Sequence, residues 1–290
     1  MTFFNHVLLS LMLSLTSLHA GIVRDIFLDT DDASPSVRFS KDISMVLDVA
    51  YGSHPKQTFD VYAPKKTSSA PVIFMVHGGA WKMGDKASKS VVYNKVNHWV
   101  NKGFIVISVN YRLLPQTSVV EQVSDIRLAL MTARMYAASY GGDKDKFIIM
   151  GHSAGAHLIS LVASKANAGI LGAILLDSAA LDVESIMRTK HLHLYDDAFG
   201  KDAASWRLLS AFHTLEEGAK PYLLVCSTKR DDSCAQAEAF ASKAQSLNVQ
   251  TTLLRQNLTH KEINETLGLG GNYTQAVDDF IQTLFTQSKH

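Results

Sequence analysis

Short apolar runs alternate with amphipathic stretches along most of this 290-residue chain. The segment 58–62 alternates apolar and polar residues, as an edge strand does, whereas later runs such as 72–76 are continuously apolar, as in strands buried on both faces. The pattern predicts strands at 58–62, 72–76, 104–109, 147–150, 171–176, 222–226 and 251–254, and helices at 89–102, 119–140, 154–165, 234–247 and 273–285. This order predicts an α/β fold with a mostly parallel central sheet and helices on both faces.

The segments outside this alternation suggest the domain organisation. Residues 21–50 are polar and mixed, which indicates an N-terminal arm or an early edge strand. Residues 51–290 are predicted to form one large domain, a size that suits the 47% hydrophobic composition. Within it, residues 182–213 are rich in His, Tyr, Asp and Trp and have no clear period. This irregular pattern predicts a short insertion that caps the active site at the edge of the sheet.

The first 20 residues have the pattern of an export signal. They contain no Lys, Arg, Asp or Glu, and Val7 to Leu18 is almost wholly apolar. Such a run is too short to span a bilayer and fits the apolar core of a signal peptide, with cleavage after Ala20. The sequence therefore predicts a signal peptide over residues 1–20 and a secreted or periplasmic protein, with no stable membrane span.

Charge and metal-ligand patterns narrow the range of partners. The net charge is +1 without any basic block, which argues against nucleic acid, because phosphate binding needs clustered Lys and Arg. The pair His191 and His193 has neither a cysteine cluster nor a zinc-protease motif beside it, so no metal and no cofactor is predicted. Nothing in the sequence indicates the oligomeric state.

The two cysteines, Cys226 and Cys234, flank the segment that follows one predicted strand. In an exported protein they could form a disulfide that clamps this loop. The alternative is two free thiols, one at a strand end and one at the start of a helix. The sequence leaves both open.

A candidate nucleophile lies between the strand at 147–150 and the following helix. Here the chain reads Gly151-His152-Ser153-Ala154-Gly155. This Gly-x-Ser-x-Gly pattern in a strand–turn–helix context is typical of a nucleophile elbow, in which a strained turn exposes the serine hydroxyl. Small flanking residues let the neighbouring chain approach closely. We therefore predict Ser153 as the nucleophile.

A second motif predicts donors for a developing oxyanion. The strand at 72–76 ends in His77-Gly78-Gly79-Ala80-Trp81. Paired glycines expose backbone N–H groups without side chains in the way, so Gly78 and Gly79 are predicted to complete an oxyanion hole with the N–H of Ala154. Trp81 is predicted to contact the substrate.

A serine nucleophile needs a histidine base and a carboxylate that orients it, in the chain order Ser, acid, His. His260 is the histidine that follows the last predicted strand, and we predict it as the base. His157, on the helix after Ser153, is expected to be a packing residue. For the acid we favour Asp231, because it lies far enough beyond its strand for a loop to turn it toward His260. Three further candidates stay open: Asp232, Asp177 and Asp182.

From Tyr51 to the closing helix the chain resembles the α/β-hydrolase esterases, and is most similar to the branch shared by carboxylesterases of the hormone-sensitive-lipase type, feruloyl-esterase-like hydrolases and kynurenine formamidases. The residues that carry the resemblance are His77-Gly78-Gly79-Ala80-Trp81, Asn110-Tyr111-Arg112-Leu113, Gly151-His152-Ser153-Ala154-Gly155, Asp231 and His260. The resemblance implies the α/β-hydrolase fold and a serine hydrolase that cleaves small carboxylic esters through an acyl-enzyme. The alternatives are an arylformamidase acting on an N-formyl amide and a non-catalytic binding protein.

Overall fold

A computed structural model describes residues 39–287. Their centre is an eight-stranded sheet in the order β1-β2-β4-β3-β5-β6-β7-β8. The strands are β1 (Ile43–Ala50), β2 (Thr58–Pro64), β3 (Ala70–Val76), β4 (Ile105–Val109), β5 (Gly142–His152), β6 (Gly172–Leu176), β7 (Tyr222–Ser227) and β8 (Thr251–Gln256). From β4 to β8 across the sheet, all neighbouring strands run parallel, whereas β2 is antiparallel to both β1 and β4. The prediction of a mostly parallel sheet is confirmed.

The edge of the sheet differs from the prediction. Residues 43–50, predicted as an arm or an early edge strand, form β1 and occupy the edge. The segment 58–62, predicted as an edge strand from its alternation, is therefore an inner strand between β1 and β4. The predicted signal peptide, residues 1–20, lies outside the described residues.

Helices cover both faces of the sheet, as predicted. They are α1 (Lys89–Val100), α2 (Val119–Met135), α3 (Ala154–Ala163), α4 (Val183–Met187), α5 (His193–Phe199), α6 (Ala203–Leu208), α7 (Ala211–Thr214), α8 (Ser233–Ser246), α9 (His260–Glu265) and α10 (Gly271–Gln287). The segment predicted as one helix over 119–140 continues after α2 as a short 3₁₀ turn, Ala137–Tyr140, which ends at Gly141 with φ +79°.

The core consists of two layers separated by the sheet. Alternate side chains of β3 point to opposite faces: Phe74 packs in one layer and Ile73 and Met75 in the other. The first layer includes the buried faces of α2, α3 and α8, and the second those of α1, α9 and α10. Because both faces are covered, the strands need continuous apolar runs, which is the pattern that the sequence shows.

The insertion predicted at residues 182–213 corresponds to the short helices α4 to α7. Its aromatic side chains Tyr195 and Phe199 are buried and stack on each other with ring centroids 6.0 Å apart. Asp182 and Asp202 cap the starts of α4 and α6. These four helices, called the cap below, pack onto the first core layer. Among the described helices none is long and apolar enough to cross a bilayer.

A disulfide joins Cys226, the penultimate residue of β7, to Cys234 in the first turn of α8. Of the two states that the sequence left open, the structure contains the bridge. It closes the loop 227–233 at both ends, directly beside the carboxyl edge of the sheet. The conformation of this loop is therefore tied to the sheet.

We expect the double substitution Cys226→Ala and Cys234→Ala to lower the free energy of unfolding by about 2–3 kcal/mol, because the bridge restricts a short loop in the unfolded chain. Equilibrium unfolding in guanidinium chloride without reductant measures the difference. As a control, dithiothreitol should destabilise the wild type by a similar amount and leave the double variant unchanged. Equal stability of the two proteins would contradict the prediction.

Candidate active site

A small cavity lies at the carboxyl edge of the parallel strands, where ligands bind in open α/β sheets. Its volume is about 20 Å³, which is room for about one water molecule. Four chain segments that follow β5, β6, β7 and β8 meet there and contribute Ser153, Asp177, Arg230 and His260 to its lining. The cap covers the cavity with Leu194 and Tyr195 of α5.

Ser153 occupies the sharp turn between β5 and α3. Its backbone has φ 53° and ψ −120°, a conformation that residues other than glycine rarely adopt. The turn is held because the Ser153 N–H donates to the Leu176 carbonyl at 2.9 Å. A Cβ on Gly155 would lie 2.3 Å from the Val76 carbonyl oxygen. The strained elbow thus depends on glycine at that position, as the sequence motif predicted.

His260 is the first residue of α9. Thr259 caps this helix: its hydroxyl accepts from the Glu262 N–H at 3.2 Å, and the Glu262 carboxylate accepts from the Thr259 N–H at 2.7 Å. This N-terminal helix cap fixes where α9 begins and thereby the position of the His260 imidazole. Nδ1 of His260 donates to Oδ2 of Asp177 at 2.6 Å. This tautomer leaves Nε2 free of a proton.

Asp177, and not the predicted Asp231, is the carboxylate that contacts His260. Asp177 follows the last residue of β6 with φ 55°, and its own N–H donates to the Val225 carbonyl at 2.8 Å. Asp231 is exposed, as is Asp232, which pairs with Arg230. The prediction that Asp231 contacts His260 is therefore corrected: Asp177, one of the alternatives that the sequence left open, makes this contact.

The physical reason for this correction lies in the loop 227–233. Arg230 points back toward the sheet and pairs with Asp177, which leaves Asp231 on the solvent side. Asp231 was favoured because it lies far enough beyond the end of β7 for a loop to turn it toward His260. Asp177 needs no such loop, because it directly follows β6 at the edge of the sheet. The available signal was the position of Asp177 immediately after a buried strand.

Asp177 is fully buried and accepts four hydrogen bonds. Oδ1 accepts from the Ser227 N–H at 2.6 Å and from the Ser233 hydroxyl, and Oδ2 accepts from His260 and, at 3.0 Å, from Arg230 Nη1. Burial alone would raise the pKa of Asp177, but the hydrogen bond and charge of His260, together with Arg230 and Ser233, hold that pKa well below its ordinary value. Asp177 is therefore a carboxylate at neutral pH.

The pKa of His260 is lowered to about 4. Burial is the largest cause, because it disfavours the charged imidazolium, and the neighbouring His152 and Arg230 act in the same direction. The hydrogen bond to Asp177 opposes the shift. A neutral imidazole is the form that can accept a proton at Nε2.

The loop after β3 lies against Ser153. A Cβ on Gly78 would come within 3.0 Å of the Ser153 Cβ, and Gly79 has φ +117°. Ala80 and Trp81 follow with positive φ and, like Ala154, line the cavity. Among the loop and turn hydrogen bonds of residues 39–287, none runs from the N–H groups of Gly79, Ala80 or Ala154 to a backbone carbonyl. The arrangement places these backbone donors next to the serine.

The Trp81 side chain connects the cavity wall to the cap. Its Nε1 donates to Nδ1 of His157 at 3.1 Å, and Nε2 of His157 donates to the Leu209 carbonyl at 2.8 Å. The Trp81 ring also contacts Phe199 of the cap edge to face, with centroids 4.9 Å apart. Burial lowers the pKa of His157 to about 4, so this imidazole stays neutral and packs, as predicted.

The fold is that of the α/β-hydrolases. A family model, BD-FAE, matches residues 59–194. The chain can be superposed on esterase B from Lactobacillus Rhamnosis with a TM-score of 0.72, at 21% identity and with 100% of this chain and 97% of that one covered. A truncated carbohydrate esterase from gut microbiota gives a TM-score of 0.73 at 16% identity, with 85% and 99% covered. These two likenesses show the fold.

Two relatives that are similar in sequence are also named as esterases. A probable isoprenylcysteine alpha-carbonyl methylesterase of Arabidopsis thaliana is 37% identical over 38% of this chain and 23% of its own length. The probable carboxylic ester hydrolase LipM of Mycobacterium tuberculosis is 32% identical over 45% of this chain and 31% of its own length. The matched segment thus spans about a quarter to a third of these relatives. Over this segment the chain is similar to carboxylesterase-type proteins.

Proposed function

We propose that this protein is a serine hydrolase of carboxylic esters. The observation that carries the proposal is the contact between His260 and the buried Asp177 in the cavity that Ser153 lines. In this assignment Ser153 is the nucleophile, His260 is the base and Asp177 orients the imidazole and stabilises its charged form. No metal or cofactor takes part in the proposed steps.

The reaction has two halves. The Ser153 hydroxyl attacks the ester carbonyl carbon while Nε2 of His260 takes its proton, and the resulting oxyanion accepts hydrogen bonds from Ala154 and the Gly78–Ala80 loop. The C–O bond breaks, the alcohol leaves with the proton from His260, and an acyl-enzyme remains. Water, deprotonated by His260, then releases the acid and restores the serine.

The curated relatives favour an ester over the alternatives that the sequence left open. Both relatives described above are named as esterases, and several solved esterases share the fold. An N-formyl amide would need the same nucleophile and base, so a formamidase activity is the second candidate to assay. A purely binding role would not require an ionised carboxylate beneath a neutral imidazole in the same cavity.

We further propose that the enzyme prefers esters of short acyl chains. What supports this is the cavity volume of about 20 Å³ beside Ser153. Trp81, Tyr195 and Leu194 form walls of this cavity. Since Trp81 and Tyr195 are buried and packed against Phe199, they cannot turn away without disrupting the cap.

We also propose that the protein works in an oxidising compartment, outside the cytoplasm. The apolar, uncharged segment 1–20 supports this through its resemblance to a signal peptide. The Cys226–Cys234 disulfide supports it independently, since such bonds persist mainly in secreted and periplasmic proteins.

The substitution Ser153→Ala should lower kcat for p-nitrophenyl acetate by at least about 10⁴-fold, because the attacking hydroxyl is gone while the fold is kept. Steady-state hydrolysis of a panel of p-nitrophenyl esters and of N-formylkynurenine measures the effect, with circular dichroism as the control for folding. Hydrolysis of esters at the wild-type rate by the variant would refute the assignment of the nucleophile. A wild-type rate on the formyl amide well above that on every ester would identify a formamidase.

The acid is tested by Asp177→Asn against Asp231→Asn. Asparagine at 177 cannot stabilise the imidazolium, and we expect kcat to fall by on the order of 10⁴-fold. The exposed Asp231→Asn serves as the matched control and should change kcat by no more than about twofold. The comparison uses kcat for one ester at a pH where the wild type is fully active. The reverse ranking of the two variants would restore Asp231 as the acid.

Acyl-chain preference is tested by enlarging the cavity through Leu194→Ala. We expect the wild type to hydrolyse acetyl esters best, and the variant to raise kcat/KM for hexanoyl relative to acetyl esters by about tenfold, because methylenes are discriminated by the space available. Leu208→Ala, on an exposed face of the same cap, is the control and should leave the ratio unchanged. Equal wild-type kcat/KM for acetyl and octanoyl esters would contradict a restricted cavity.

A further inference from the structure

Arg230 is part of the site, although no sequence motif predicted it there. Its side chain is only 10% exposed, although it comes from the loop between β7 and α8, and it lines the cavity. Nη1 donates to Oδ2 of Asp177 at 3.0 Å and lies 2.7 Å from Nδ1 of His260. Nη2 donates to Asp232 at 3.2 Å. A fixed positive charge thus contacts both members of the acid–base pair.

We propose that Arg230 is a positioning residue that keeps His260 neutral in mildly acidic conditions, so that ester hydrolysis extends to acidic pH. The proposal rests on the proposed function, because it concerns the same base. It assigns to Arg230 no contact with the reacting atoms. Its action passes through Asp177 and the imidazole.

The geometry explains how the charge acts. Nδ1 of His260 donates to Oδ2 of Asp177, so the same oxygen receives two donors, one from the imidazole and one from Arg230. Two donors that converge on one oxygen lie against each other. When the imidazole gains its second proton, it becomes a cation in contact with a guanidinium, in a site from which water is largely excluded. Like charges at this distance disfavour protonation strongly.

Without Arg230, the pair would behave differently. An isolated buried carboxylate beside a histidine favours the imidazolium and raises the pKa of that histidine. Arg230 neutralises part of the Asp177 charge and adds its own repulsion. Asp177 can then orient the imidazole through the hydrogen bond without drawing a proton onto Nε2 before substrate arrives.

Among the described groups that face His260 or its two partners, Arg230 provides the constant positive charge. It stays protonated at every working pH, whereas a phenol is neutral or negative and an imidazole changes its charge with pH. The His152 ring lies with its centroid 4.4 Å from that of His260, and its Nε2 donates to the His260 carbonyl. The titratable and charged groups that face His260 or its two partners are Asp177, Arg230, His152, Asp232, Tyr195 and Tyr273.

A direct role for Arg230 in binding an anionic substrate fits the contacts less well. Two carboxylates, Asp177 and Asp232, already compensate its charge. The disulfide between Cys226 and Cys234 ties both ends of its loop, and Ser233 of the same loop donates to Asp177. Loop and guanidinium are therefore fixed toward the acid.

The experiment compares wild type, Arg230→Gln and Arg230→Lys in the pH dependence of kcat/KM for an uncharged acetyl ester. A base must be neutral to act, so activity falls as pH drops through the pKa of His260. Removal of the positive charge raises that pKa, and the acid limb of Arg230→Gln should move to higher pH by about one unit. Arg230→Lys keeps a charge and should restore most of the wild-type limb. Lys229→Gln removes one exposed charge from the same loop and should leave the limb unchanged.

A second readout does not depend on activity. In the Ser153→Ala background, an NMR titration of the His260 ring should give a pKa below the ordinary value of about 6.5, and a higher one when Arg230 is replaced by Gln or Met. This separates the proposal from the proposed function, because an inactive protein still titrates.

An unchanged acid limb and an unchanged ring pKa in both neutral variants would overturn the proposed role of Arg230. So would a rise in KM confined to anionic esters, which would mean that Arg230 contacts the substrate. If the neutral variants do not fold, a His260 pKa above about 6.5 in the folded Ser153→Ala protein would overturn it.

Discussion

The buried charge of Asp177 is the constraint on which the site depends. An ionised carboxylate away from water is costly unless it is paired and hydrogen-bonded. Asp177 meets this requirement with four donors, which come from the end of β7, the loop after it, the start of α8 and the start of α9. Segments far apart in the chain must therefore converge at one point, and the disulfide holds two of them together.

The same convergence decides the protonation state of His260. Burial and Arg230 disfavour the imidazolium of His260, whereas Asp177 favours it, and the balance leaves the ring neutral. A neutral ring with its Nδ1–H directed to the carboxylate presents an unprotonated Nε2 to the cavity. The loop 227–233 thus sets both the environment of Asp177 and the protonation state of His260.

Close backbone contacts play a corresponding role on the other side of the cavity. Gly78 lets the loop after β3 approach the serine turn, and Gly155 lets the start of α3 approach the end of β3, at distances that a Cβ would prevent. The strained turn at Ser153 and the backbone N–H groups of the loop after β3 are thereby brought side by side. Trp81, held by His157 and Phe199, then links the donor loop to the cap and limits the space next to the serine.

The sequence by itself determined the features that depend on local pattern. Continuous apolar runs predicted the parallel strands, and the small residues around Ser153 predicted the elbow, because both follow from the geometry of neighbouring residues. The role of 58–62 as an inner strand, the bonded state of Cys226 and Cys234, and the choice of Asp177 over Asp231 were decided by the tertiary structure. Each depends on which distant segment approaches, and the direction of a loop side chain such as Arg230 is set by the partner it meets and not by its position in the chain.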